Sequence, residues 1–80
     1  MKRKQIDNFY LVIGDIALNK TKRKGRTYIE VAMTEDDRRA LFDYPSLDLF
    51  CGNLTPKEVD YAKDEIKRNF NLLKGQKLNG

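Results

Sequence analysis

The sequence predicts a small α+β domain, laid out β-β-α-α, with an antiparallel hairpin packed against a long C-terminal helix. Three observations predict it. Phe9 to Leu18 and Thr27 to Met33 are runs of strand formers. The second alternates, so that Thr27, Ile29, Val31 and Met33 share one face while Tyr28, Glu30 and Ala32 share the other. The segment Leu54-Thr55-Pro56-Lys57-Glu58-Val59 carries the signals that start a helix, and Val59, Ala62, Ile66, Phe70 and Leu73 then recur at helical spacing. A two-stranded ribbon is marginal in water unless something covers its apolar face, so hairpin and helix require each other.

Taken in order, residues 1–8 are polar and basic and read as a flexible tail ahead of a single domain over 9–75, with a second flexible tail over 76–80. In the first strand Phe9, Leu11 and Ile13 share a face, and beyond Gly14 the apolar phase shifts to Ile16 and Leu18. A one-residue slip at a glycine is what a β-bulge produces; burial of both faces around Tyr10 and Val12 is the alternative. Asn19 to Arg26 reads as a basic loop joining the two strands at the hairpin tip. Thr34-Glu35-Asp36-Asp37 places a capping threonine and acids where a helix dipole favours them, which predicts a short helix ending near Asp43, before Pro45. Pro45 to Cys51 reads as a further helical turn closed by Gly52. In the last helix Thr55 is the N-cap, Pro56 the first helical residue, Glu58 the partner in a capping box, and Leu54 and Val59 a hydrophobic staple. Gly75 ends it.

Composition narrows the functions. The chain has 80 residues, one cysteine and no histidine. No intramolecular disulfide can form, and a structural zinc site of the usual Cys/His type lacks ligands. Without histidine, acid–base chemistry would need a carboxylate, lysine or tyrosine with a strongly shifted pKa, which requires deeper burial than so small a core supplies. No phosphate loop or dinucleotide fingerprint is present. The expectation is therefore a protein that is not an enzyme and takes no cofactor, metal or small-molecule substrate. No segment approaches the ~20 apolar residues of a membrane span. Lys2-Arg3-Lys4 ahead of an apolar run has the outline of a signal peptide, but Asp7, Asn8 and Asp15 interrupt it, and the reading is cytoplasmic. Cys51, in an apolar context, reads as a buried small hydrophobe.

Charge is unevenly placed. Residues 1–26 hold eight Lys/Arg against two Asp/Glu, residues 27–54 two against six, and residues 55–80 six against four. Lys20, Lys22, Arg23, Lys24 and Arg26 concentrate five cations in seven residues at the expected hairpin tip. Such a group suits the phosphates of a nucleic acid, with Lys2, Arg3 and Lys4 adding contacts, mostly without sequence specificity. A solvated loop that keeps the edge soluble is the plainer alternative. No aromatic residue interleaves this basic run, so base stacking is not suggested there. Along the last helix Lys63, Lys67 and Lys74 alternate with Asp60 and Asp64 and read as an exposed face of mixed sign.

A protein-interaction module, an inhibitor or adaptor of the kind viruses and mobile elements carry, is the rival reading. It would use the acidic-apolar segment 35–50, with Tyr44, Leu47 and Phe50 as apolar contacts and Asp37 and Asp43 as rim charges, or the outer face of the hairpin around Tyr10 and Tyr28. So short a chain also suggests a homodimer, with Thr27 to Met33 or the helix stripe near Phe70 and Leu73 as its seam.

Overall fold

The computed structural model describes residues 9–77. Five strands, β1 (Leu11–Ile13), β2 (Ile16–Arg23), β3 (Arg26–Met33), β4 (Arg39–Asp43) and β5 (Leu49–Gly52), precede two helices, α1 (Pro56–Arg68) and α2 (Phe70–Lys74). The strands form one antiparallel sheet in the order β1-β2-β3-β4-β5. The α+β class stands, but the β-β-α-α layout does not, because the middle of the chain is sheet rather than helix.

Each departure has a local cause. Phe9 to Leu18 is not one bulged strand. Gly14, at φ 55°, and Asp15 turn the chain back on itself, so that Ile13 pairs with Ile16 and Leu11 with Leu18. The shift of apolar phase is the strand reversing, with cross-strand partners on the same face. Basic residues 19–23 are strand, not loop. The turn is confined to Lys24 and Gly25, whose φ of 51° and 82° match the primed turn that suits the twist of a hairpin. The acidic segment starts no helix: Asp36 accepts from Arg38 N at 3.0 Å, and Met33 N donates to Arg38 O at 3.0 Å, closing a turn between β3 and β4. Aspartates that cap helices make such turns equally well. Beyond it Ala40 and Phe42 alternate inward with Arg39, Leu41 and Asp43 facing the other side.

The expected helical turn over Pro45 to Cys51 is a loop followed by β5. Leu47 holds a left-handed backbone at φ 67°, yet its side chain is only 6 % exposed. That conformation costs about 1–2 kcal/mol for a non-glycine residue, and burying a leucine side chain contributes about 1.5–3 kcal/mol, so burial wins. Leu47 N donating to Asp43 O at 2.7 Å and Asp43 N to Asp48 O at 2.8 Å fix the loop.

The helix start is as predicted. Thr55 Oγ1 accepts from Glu58 N at 3.2 Å and Glu58 Oε1 accepts from Thr55 N at 2.9 Å, with Pro56 opening the helix. The single long helix, however, breaks at Asn69, whose backbone leaves helical geometry at φ −110° and ψ 18°; its N–H is shared between Glu65 O at 3.1 Å and Ile66 O at 3.2 Å, and its side chain also donates to Glu65 O at 2.8 Å. The apolar stripe survives the break: Ala62, Ile66 and Leu73 are fully buried, and Val59 and Phe70 pack beside them. They cover the inner face of the sheet, where Ile16, Leu18, Ile29, Val31, Ala40 and Phe42 complete the core with Leu47. Neither expected dimer seam is open. Strand β3 is central, with β2 and β4 on its two sides, and the helix stripe is used inside the monomer.

The C-terminal end of α2 is fastened to β2. Lys20, itself buried, donates from Nζ to Lys74 O at 3.1 Å and lies over the Tyr44 ring. Gln76 Oε1 accepts from Lys20 N at 2.7 Å while Gln76 Nε2 donates to Asn19 Oδ1 at 2.8 Å. That amide satisfies the edge of β2 where β1 has ended, so Gln76 belongs to the fold and not to a tail. At the other end of the helical layer Arg38 grips Glu58 with its two terminal guanidinium nitrogens, at 2.6 and 2.8 Å, and reaches Asp36 from Nε at 3.2 Å. The hydrogen bonds from Arg38, and then the one from the Thr55 backbone, hold the Glu58 carboxyl below the ordinary glutamate range.

A glycine at position 52 is required. A Cβ there would stand 2.5 Å from Ala40 Cα and 2.6 Å from Arg39 O, at a φ of 146°. Gly52→Ala should therefore cost about 3 kcal/mol or more in urea unfolding, as forced overpacking against backbone does. Gly14→Ala, with open space around the new methyl, should cost only about 1 kcal/mol of backbone strain. A second expectation concerns acid. Because the folded pKa of Glu58 is depressed, its contribution is present above the ordinary glutamate range and is lost as pH falls through the folded value. Glu58→Gln should lower Tm at neutral pH and flatten the fall of Tm as pH drops below about 5 and through the folded value; an acid limb as steep as that of the parent would show that the pair contributes nothing.

Candidate nucleic-acid interface

The β2–β3 ribbon outruns its neighbours. Strand β1 pairs with β2 only as far as Leu18, and β4 pairs with β3 only as far as Tyr28, opposite Asp43. Tyr44 N still donates to Thr27 O at 3.2 Å; beyond Thr27 the ribbon has no backbone partner outside itself among the described residues, and Lys22, Arg23, Lys24, Gly25 and Arg26 are all exposed. One further residue per strand, Arg23 opposite Arg26, carries the ribbon about 3 Å past Thr27, and the two-residue turn extends it beyond that. A short primed turn at Lys24-Gly25 makes this overhang stiff, because the hydrogen-bonded register runs up to Arg23 opposite Arg26.

The cations of the basic run separate into three kinds. Lys20 is not at the tip at all; it is buried against α2 and leaves the interface. Arg23 approaches Glu30 at 3.9 Å and Arg26 meets Asp43 at 3.3 Å, with guanidinium side chains 55 % and 67 % exposed. Pairs that open to water stabilise by at most about 1 kcal/mol and exchange readily. Lys22 and Lys24 have no carboxylate partner among the described residues. Lys2, Arg3 and Lys4 lie outside the described residues.

The rival acidic-apolar segment does not form one surface. Leu47 is buried, and Tyr44 is half-buried with its ring stacked on Phe70 at 5.4 Å. Asp43 is turned to Arg26, and Asp37 is exposed in the β3–β4 turn. Of the three apolar residues only Phe50 faces solvent, at 55 % exposure, and its ring centroid lies 5.0 Å from that of Tyr28. Cys51 beside it is exposed rather than buried.

Phe50 belongs to the outer face of the sheet, which no helix among the described residues covers. There Ala17 and Ala32 lie under Phe9, and the Arg39 guanidinium lies over that ring. Glu30 sits mid-face between Arg39, at 2.9 Å, and Arg23. Tyr28, reached by Phe50 from across β4, is only 6 % exposed. Alternation in β3 already assigns Tyr28 and Glu30 to this face; the approach of Phe50 depends on the register of β5, for which the sequence carries no signal. A polar hollow of ≈ 460 Å³ adjoins the ribbon base, lined by Arg26, Thr27, Asp43, Tyr44, Ser46 and Asp48. Two carboxylates against one guanidinium make it a poor seat for a phosphate.

Among the described residues, no group of carboxylates and cysteine is placed to hold a metal ion, and no helix is long and apolar enough to cross a membrane. Comparison with known proteins finds no matching family model, no similar curated protein and no similar solved structure.

Proposed function

We propose that this chain is a small non-enzymatic protein that binds nucleic acid by its phosphates, through the β2–β3 ribbon. The observation that supports the reading is the overhang itself: Lys22, Arg23, Lys24 and Arg26 gathered on a stiff projection, two of them with no carboxylate partner among the described residues. Like charges so close repel one another in the free protein. A polyanion relieves that repulsion, and release of its condensed counterions supplies most of the affinity without reference to base sequence. A net charge of +4 adds attraction at longer range. The protein-interaction reading is less well supported, because two of its three apolar contacts, Tyr44 and Leu47, are engaged inside the fold.

The test is affinity as a function of salt, measured for single strands and duplexes of both DNA and RNA. Contact with several phosphates predicts that log K falls linearly with log salt. The variant Lys22→Ala/Arg23→Ala/Lys24→Ala should reduce that slope by about 2 to 3, since each phosphate contact contributes about 0.7–0.9. Absence of binding to every probe at low salt would refute the ribbon as a phosphate contact.

A further inference from the structure

We infer that the outer face of the sheet beside the ribbon is a stacking platform for a single strand of DNA or RNA, with Phe50 as the ring that receives a base. The inference rests on the ribbon reading and narrows its ligand to unpaired nucleic acid. It begins from an asymmetry of exposure. Phe50 is 55 % exposed and Tyr28, 5.0 Å away, only 6 %. The phenylalanine ring therefore reaches across β4 and rests on the tyrosine, shielding it while leaving much of its own surface to water. An aromatic ring held against the sheet in this way loses little freedom when a base lies on it, which favours binding over a ring that must first be ordered.

Its neighbours supply the charge. Asp43 is the cross-strand partner of Tyr28, and Arg26 pairs with Asp43. Phenylalanine ring and guanidinium thus flank the same Tyr28–Asp43 pair, one from the β5 side and one from the ribbon side. A base on Phe50 would leave its phosphate toward Arg26, and the chain could continue to Arg23 and Lys24 at the tip. The carboxylates on this face do not oppose it: Glu30 lies between Arg23 and Arg39, and Asp43 is matched by Arg26. Arginines with exposed side chains can turn from a carboxylate to a phosphate at small cost. Only an unpaired strand fits this arrangement, because the bases of a duplex are stacked on each other and offer no free face to a side chain.

Fluorescence anisotropy with labelled oligo-dT and oligo-rU of about 12 nucleotides, and a duplex of the same length, distinguishes the possibilities. The full chain should bind one or both single strands more tightly than the duplex, and the stronger of the two identifies the sugar. Phe50→Ala should weaken single-strand binding about tenfold or more while leaving duplex binding nearly unchanged; loss of the ring from Tyr28 should lower the melting temperature by only a few degrees, with the chain still folded in the assay. Phe50→Tyr, which keeps the ring, should restore it. If Phe50→Ala leaves single-strand affinity intact while the triple ribbon variant lowers it, the platform is refuted and the phosphate-binding ribbon stands. If no probe binds the parent chain, the ribbon reading itself falls. If sedimentation shows a dimer that Phe50→Ala dissociates, the ring is a seam between copies and the platform is equally refuted.

Discussion

One helical layer has to serve a sheet with two faces. Helices α1 and α2 carry a single apolar stripe, and Ala62, Ile66 and Leu73 commit it to the inner face, over Leu18, Ile29, Val31 and Phe42. Everything else follows from that commitment. The stripe must reach the sheet at both ends, so Arg38 grips Glu58 where α1 begins, and Lys20 and Gln76 tie down the end of α2. The core needs one more apolar group than the strands supply, and the β4–β5 loop accepts a left-handed backbone at Leu47 to deliver it. In a chain this short, where ordering each residue costs about 1–2 kcal/mol, the helical layer is committed to the centre of the inner face, where Leu18, Ile29, Val31 and Phe42 are fully buried.

The outer face meets the same sheet geometry without a helix. It is made compatible with water by side chains lying flat on it: Phe9 over two alanines, Phe50 against Tyr28, and arginines folded back onto Glu30 and Asp43. Such a surface is aromatic and cationic at once, and its charges are neutralised by partners that remain in contact with solvent. Those pairings are weak enough to be replaced. An exposed ring beside guanidinium groups held by exchangeable pairs is the combination on which the stacking proposal draws.

What could be read from the sequence depends on the range of the interaction. The capping box at Thr55 and Glu58 lies within one helical turn, and the structure has it as the residues specify. The helix stripe and the alternation of Thr27 to Met33 are periodic over many residues, and they too place the right side chains inside. The failures occur where a local signal is shared by two structures. Gly14 suits a bulge or a turn, and only pairing of Ile13 with Ile16 selects the turn. Asp36 suits a helix cap or a tight turn, and the free edge of β3 selects the turn by taking Arg39–Asp43 as its next strand. Lys20 looks like its basic neighbours in sequence. It differs from them because a strand turns alternate residues to opposite faces and the end of α2 lies above this one. For the site, the four tip cations were legible as a cluster, whereas the place of Phe50 was not, since it reaches Tyr28 through a strand whose own pairing is irregular between Leu41 and Phe42.

If the ribbon binds a polyanion as proposed, its two kinds of cation divide the work. Lys22 and Lys24, exposed and without a carboxylate partner among the described residues, project their charge into solvent, where it acts over about a Debye length and raises the rate of encounter with a polyanion. Arg23 and Arg26 are screened by their carboxylates until a phosphate arrives, and then offer planar, directional donors at short range. On the proposed reading, encounter would be set by the lysines and residence by the arginines together with whatever the neighbouring rings hold. A ribbon of lysines alone would bind any polyanion and release it as readily. The outer face adjoining the ribbon is where such indiscriminate attraction can become selective, because stacking asks for an unpaired base and charge does not.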